Sequence, residues 1–210
     1  MVFQKKVMKG IVFIELLQTL ERHHGTKTLQ SVIEKANLPN NGVYNSEEFY
    51  SFDELGKIIS AISKETKTDT PLILRDLGKH LFQKLAVLYP EIPTKKANAL
   101  EFIASVETYI HPEIRKIYPN AQLPKFVIEK QDVQSLTMLY ISDKKFEAFV
   151  WGLMLGCAEY YKQALDIEYT PVEKQQNYSV RFKIQTDKAE KLRAPGGLWN
   201  MFKRRLFGVK

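Results

Sequence analysis

Two short stretches of this 210-residue chain hold residue types and spacings that could do chemistry. The first is "SVETYIHPEIRKIYPNAQLPKF", where His111 ends an apolar helical run and is followed at once by Pro112. A residue before proline is disfavoured in the α conformation, so His111 is expected to mark a break that frees its side chain. A neutral imidazole is a common metal ligand. No Cys or carboxylate at ligand spacing suggests itself, and zinc usually takes three or four protein ligands; a single His can instead be the axial ligand of a haem. An ordinary histidine at a helix end fits the same pattern. The second stretch is "YISDKK", residues 140–145. In a strand Tyr140, Ser142 and Lys144 would share one face over ~13 Å. Two hydroxyls and an ammonium in that row could donate to a pair of carboxylates, such as the propionates of haem. A polar strand face turned to solvent reads the same way.

Other chemistries find little support. The chain shows no Ser-His-Asp arrangement, phosphate loop or paired acid with a plausible base, so turnover is not expected. Cys157 is the only cysteine, which excludes an intramolecular disulfide and a multi-thiolate metal site; "WGLMLGCAEYY" suggests that it is buried. His23 and His24 precede Gly25 near a helix C-terminus, where imidazolium is favoured, and read as structural. His80 is the one rival ligand. The net charge is +7, but residues 188–210 hold seven Lys and Arg against one acid. The body is nearly neutral, so no nucleic-acid partner is expected. No run approaches the ~18 apolar residues of a membrane span, and the N-terminus reads as an amphipathic helix rather than a leader. Cytoplasmic residence follows as the expectation.

The elements that must position these residues fall into two groups. "MKGIVFIELLQTLERHHG" has a helical apolar stripe through Ile11, Ile14, Leu17 and Leu20, with Gly25 as its stop. "TLQSVIEKANLP" is a second short helix. Ser51 and Glu54 have capping-box spacing before "FDELGKIISAISKETK". Thr70 with Pro71 opens a helix running to Pro90, and Thr94 opens another ending at His111. The period then changes. "KFVIEKQD", "SLTMLYIS", "LDIEYTPVE" and "NYSVRFKIQ" read as strands, with one long helix from about Lys144 to Ala164 between the second and third. Helices followed by strands give an α+β fold: an N-terminal helical subdomain, then a small antiparallel sheet with a long helix.

With these motifs in order, the chain resembles the haem nitric oxide/oxygen binding domain family, bacterial relatives of the sensor domain of soluble guanylate cyclase. The resemblance begins at Met8-Lys9-Gly10 and runs through "VIEKANLPNNGVY" and "LGKHLFQKLAVLYP". It is sharpest across "HPEIRKIYPNAQLPKF" and "YISDK", and covers about residues 8–186. It implies haem b held between the two parts, with His111 as proximal iron ligand, Pro124 pressing on the macrocycle, and Tyr140 and Ser142 bonding the propionates. The family motif is Tyr-x-Ser-x-Arg. Here the third member is Lys144, which keeps the charge but loses the planar fork, so a weaker clamp is expected.

The resemblance also bears on which gas binds. Oxygen-binding members carry a distal Tyr nine residues beyond the motif Tyr, where this chain has Phe149. The other distal positions in that register, Leu16 and Leu81, are apolar too, and His80 falls beside Leu81. Without a donor, the partial negative charge of bound oxygen lacks a stabiliser, so the expectation is nitric oxide and carbon monoxide with oxygen excluded. Tyr44, Tyr50 and Tyr89 remain possible donors. The implied signal is release of His111, passed to a separate protein such as a histidine kinase or a cyclic-di-nucleotide enzyme. A haem-free interaction module keeping the fold is the alternative, and a haem peroxidase or dioxygenase lacks a distal acid–base group. Residues 188–210 form a separate basic segment; within it "APGGLWNMFKRRLFGVK", residues 194–210, has an amphipathic pattern that suits an anionic membrane surface, a partner's groove or packing on residues 1–187.

Overall fold

The computed structural model describes residues 7–119, 121–172 and 178–186; the basic segment read at 188–210 lies outside them. The fold is α+β, and its helical half starts from a short ribbon. Strand β1 (Val7–Lys9) pairs antiparallel with β2 (Phe49–Ser51), Met8 opposite Tyr50. That ribbon joins the start of helix α1 (Gly10–Ala36) to the start of α2 (Phe52–Thr66). Gly10 is required at this junction: its N–H bonds the Glu48 carbonyl at 2.9 Å, and a Cβ would lie 1.9 Å from the Asn45 carbonyl oxygen. The ribbon was not legible, because three-residue strands leave too short an alternation to read.

Helix α1 holds both segments read from the sequence, which meet at Gly25 (φ 80°, ψ 167°), a conformation open in practice only to glycine. Asn37, left-handed at φ 46°, closes the second segment. Ser51 caps α2 by accepting from the Asp53 N–H at 3.2 Å. Glu54 meets the Tyr44 hydroxyl instead of completing a capping box. Helix α3 (Thr70–Leu88) is preceded by Asp69 at the cap position, so Thr70 and Pro71 lie within its first turn.

The next helix departs further from the sequence reading. Thr94 falls in a single 3-10 turn, Pro93–Lys95, and Asn98 caps α4 (Ala99–Ala104) by accepting from the Glu101 N–H at 2.9 Å. After Ser105 the chain makes a π turn, Val106–Ile110, and α5 (His111–Ile117) begins. His111 therefore opens a helix, with α dihedrals (φ −62°, ψ −40°), rather than ending one. The irregularity expected from Pro112 lies upstream, in the π turn.

The sheet order is β3-β4-β6-β5, all antiparallel: β3 (Lys125–Gln131), β4 (Ser135–Ser142), β5 (Leu165–Pro171) and β6 (Tyr178–Thr186). One face is apolar by alternation. Leu136, Met138 and Tyr140 of β4 oppose Ile184, Phe182 and Val180 of β6, all buried. Each such side chain contributes about 1.5–3 kcal/mol of burial free energy. Helix α6 (Glu147–Tyr160) is shorter than expected at both ends: the Lys144 turn precedes it, and left-handed Lys162 follows. It packs on α3 through glycines. A Cβ on Gly78 would stand 2.2 Å from the Phe149 carbonyl oxygen, and one on Gly152 2.0 Å from that of Arg75.

Two apolar cores result. One fills the space between α1, α2 and α3; the other lies under the sheet with α4. Helix α6 supplies Ala148 and Phe149 to the first and Val150, Met154 and Cys157 to the second. Cys157 is buried, as its neighbours suggested, and burial pushes its thiol pKa up.

Candidate functional site

The π turn delivers His111 into the interior. The Ser105 carbonyl takes both the Tyr109 N–H (2.8 Å) and the Ile110 N–H (3.2 Å), and the His111 N–H reaches back to the Val106 carbonyl. The His111 ring is only 4% exposed and lies against Phe126 of β3, ring centroids 5.7 Å apart. Its Nδ1 is 3.2 Å from Glu107 Oε2 but not aligned for a hydrogen bond, and it has no other partner among the described residues. Burial holds the His111 pKa below the usual imidazole value, with Glu107 raising it and Arg115 lowering it. Burial prevails, so the ring is neutral near pH 7 with a lone pair to offer. Pro124, half-buried, stands two residues before Phe126.

Tyr140, Ser142 and Lys144 come together, though not as a row on one strand face. β4 ends at Ser142. The chain then turns, so that the Lys144 N–H donates to Ser142 Oγ (3.1 Å) and the Tyr140 hydroxyl donates to the Lys144 carbonyl (3.2 Å). Tyr140 is buried against Phe126, centroids 5.5 Å apart, so Phe126 lies between it and His111. Burial pushes the Tyr140 pKa up to about 12, keeping the phenol protonated as a donor. Lys144 Nζ sits 4.5 Å over the Phe52 ring, a cation–π contact that a flexible ammonium can make and leave. An open cleft of ≈580 Å³ beside this turn is lined by Phe52, Asp53, Leu74, Lys144 and Phe146, and does not extend to His111.

The predicted distal residues meet in the first core. Leu16, Leu81 and Phe149 are all buried there, and Phe149 packs on Phe146, which packs on Phe52. The three alternative donors are engaged elsewhere. Tyr44 OH lies 3.4 Å from Glu54 Oε2, Tyr50 OH accepts from the Asn45 N–H at 2.8 Å, and Tyr89 and Tyr118 hydroxyls meet at 2.6 Å.

A family model described as Haem-NO-binding matches residues 9–169. The chain belongs to this family. Its fold is that of solved H-NOX proteins. The Fe(II) unliganded H-NOX from K. algicida is 32% identical, with 86% of this chain and 97% of that one aligned at a TM-score of 0.80. The H-NOX from Shewanella woodyi, solved in the Fe(II)CO state, is 31% identical over 86% and 95% of the two chains, TM-score 0.74. The S. oneidensis H-NOX in the Fe(II)NO state, 22% identical over 86% and 100%, shares the fold at a TM-score of 0.77. No curated protein matches the chain. H-NOX domains are haem-based gas sensors.

A neutral, buried His111 and a hydroxyl-bearing turn occur together in this H-NOX chain. These residues suit a haem: a desolvated imidazole for the metal, apolar walls, and donors at the edge. Sequence reasoning missed Glu107 and Phe126. Glu107 sits four residues before His111, the helical spacing that puts two side chains on one face; its Oε2 also accepts from the Phe126 N–H at 3.0 Å, pinning the helix to β3. The spacing was visible, but the expected helix end at His111 concealed it. Among the described residues no helix is long and apolar enough to cross a membrane.

Proposed function

We propose that this H-NOX chain is a nitric oxide sensor that also takes carbon monoxide, excludes oxygen, and performs no catalysis of its own. The reading rests above all on His111, buried, neutral and without a hydrogen-bond partner at Nδ1. His111 would hold the iron of haem b, Pro124 would press on the ring, and the turn Tyr140–Ser142–Lys144 would hold the propionates. The haem supplies the ferrous centre that binds the gas.

The remaining work falls to the protein. Leu16, Leu81 and Phe149 exclude water and offer no hydrogen bond, which disfavours oxygen because its partial negative charge needs a donor. Glu107, 3.2 Å from His111 Nδ1, would take up the proton of that nitrogen once the ring settles on the metal, leaving the other nitrogen for the iron. Release of His111 from the iron would free α5 from an anchor, and a second position of that helix would give the two states a switch requires. A separate protein, a histidine kinase or a cyclic-di-nucleotide enzyme, would read the change. The sensor spans residues 1–187 and works in the cytoplasm; the basic segment 188–210 supplies contact with a membrane surface or the partner.

The experiment is an absorption spectrum of the dithionite-reduced protein, repeated after nitric oxide and, on a separate sample, after air. Expected are a five-coordinate ferrous band, a shift with nitric oxide, and none with oxygen. In His111→Gly the band is lost and added imidazole restores it. No Soret band after haem reconstitution would leave a haem-free interaction module as the reading; peroxide turnover would make it an enzyme.

A further inference from the structure

The fold gathers a further set of candidate ligands on α1 and α3. His23 stands near the end of the first segment of α1, before the break at Gly25; Asp76 and His80 stand one turn apart on α3. One ligand atom of each lies within 4.8 Å of those of the others. His23 Nδ1 is 3.3 Å from Asp76 Oδ2, and the two imidazole centroids are 5.6 Å apart. For zinc bonds of about 2.0–2.1 Å, the edge of a tetrahedron is about 3.3–3.4 Å, so the His23–Asp76 separation already fits two ligands of one ion. We propose that His23, Asp76 and His80 form a zinc(II) site clasping α1 to α3.

Three independent features point the same way. Two imidazoles and a carboxylate are the donor set of zinc sites that keep one position for water. His80 Nδ1 lies 3.0 Å from the Asp76 backbone carbonyl and 3.3 Å from Asp76 Oδ1, which fixes the ring beside the carboxylate that would share the ion. The third feature is space. A cavity of ≈300 Å³ opens beside the cluster, lined by His23, His24, Asp76, Thr19 and Thr66, with room for solvent on the ion. The three side chains are 47%, 35% and 23% exposed, so an ion can reach them. Arg75, which lines the same cavity, stacks its guanidinium on Trp151 at 5.0 Å, and the Arg22 guanidinium is paired with Glu15 at 2.6 Å. Competing sites are few: the chain has four histidines and one cysteine, His111 lies in the other core, and the Cys157 thiol is buried.

The test is calorimetric titration of the full chain, haem-loaded so that His111 is occupied, with zinc chloride. One equivalent is expected, and His23→Ala or His80→Ala each weakens it at least about 10-fold, while His24→Ala leaves it unchanged. A zinc-dependent rise in melting temperature should vanish in the same two variants. His23 is half-exposed, so His23→Ala carries the test if His80→Ala does not fold. Absence of saturable binding up to millimolar zinc, or equal binding by the His23→Ala/His80→Ala double variant, overturns the site.

Discussion

At the scale of single residues, the candidate site depends on what each side chain can donate. Lys144 holds its charge over Phe52, and a lone ammonium grips a carboxylate less well than a guanidinium fork. Lys144→Arg should therefore slow haem transfer to apomyoglobin by about threefold to tenfold, the effect of roughly 1 kcal/mol. Phe149→Tyr should admit oxygen. One hydroxyl beside the gas adds about 1.5–3 kcal/mol, read as a shifted Soret band under air, with carbon monoxide affinity changing far less. His111 carries a pH signature in the haem-free protein. Its folded pKa lies below the unfolded value of about 6.5, so the unfolded chain binds the extra proton first. Stability from the neutral ring is full above that value and falls as acid is added below it. Urea midpoints at pH 7.5 and 5.5 should differ more for the native chain than for His111→Phe. Residue types pointed to these candidates, His111 by its place before Pro112 and Tyr140, Ser142 and Lys144 by a two-residue spacing that suggested a strand face, where the structure has a turn. Glu107 and Phe126 did not stand out, because their role comes from packing between elements far apart in sequence.

Elements were legible where local signals act alone. Gly25 and Asn37 bound the segments of α1, and alternation in β4 and β6 marks the buried sheet face. Boundaries failed where two signals compete. Thr94 and Asn98 both offer caps, and only Asn98 finds its N–H; Pro112 predicts a break at His111, yet the π turn absorbs the irregularity five residues earlier. The crossing of α3 and α6 lay beyond sequence reading, because nothing in "GLMLGCAEY" names its partner. It yields a paired prediction. Gly152→Ala drives a methyl into the Arg75 carbonyl and should cost about 3 kcal/mol, at or beyond the upper end of overpacking. Gly56→Ala, inside α2 with nothing within 4 Å of the new Cβ, should stabilise by about 0.5–1 kcal/mol. Thermal melts of the two variants should move in opposite directions.

For the whole molecule, two cores share α3 and α6: Leu77 and Leu81 of α3 belong to the first, Phe82 and Ala86 to the second. The proposed distal wall belongs to the first core, while Phe126, which packs on His111, and Tyr140 behind it belong to the second. The π turn then acquires a mechanical meaning. It holds one residue more than an α turn would, a length of slack wound in just before His111. Redrawn as regular α-helix, it would turn everything beyond it by about 100° and shift it by about 1.5 Å along the axis. His111, the proposed proximal ligand, thus follows directly on that extra residue, while α4 before it is capped by Asn98 and packed in the second core.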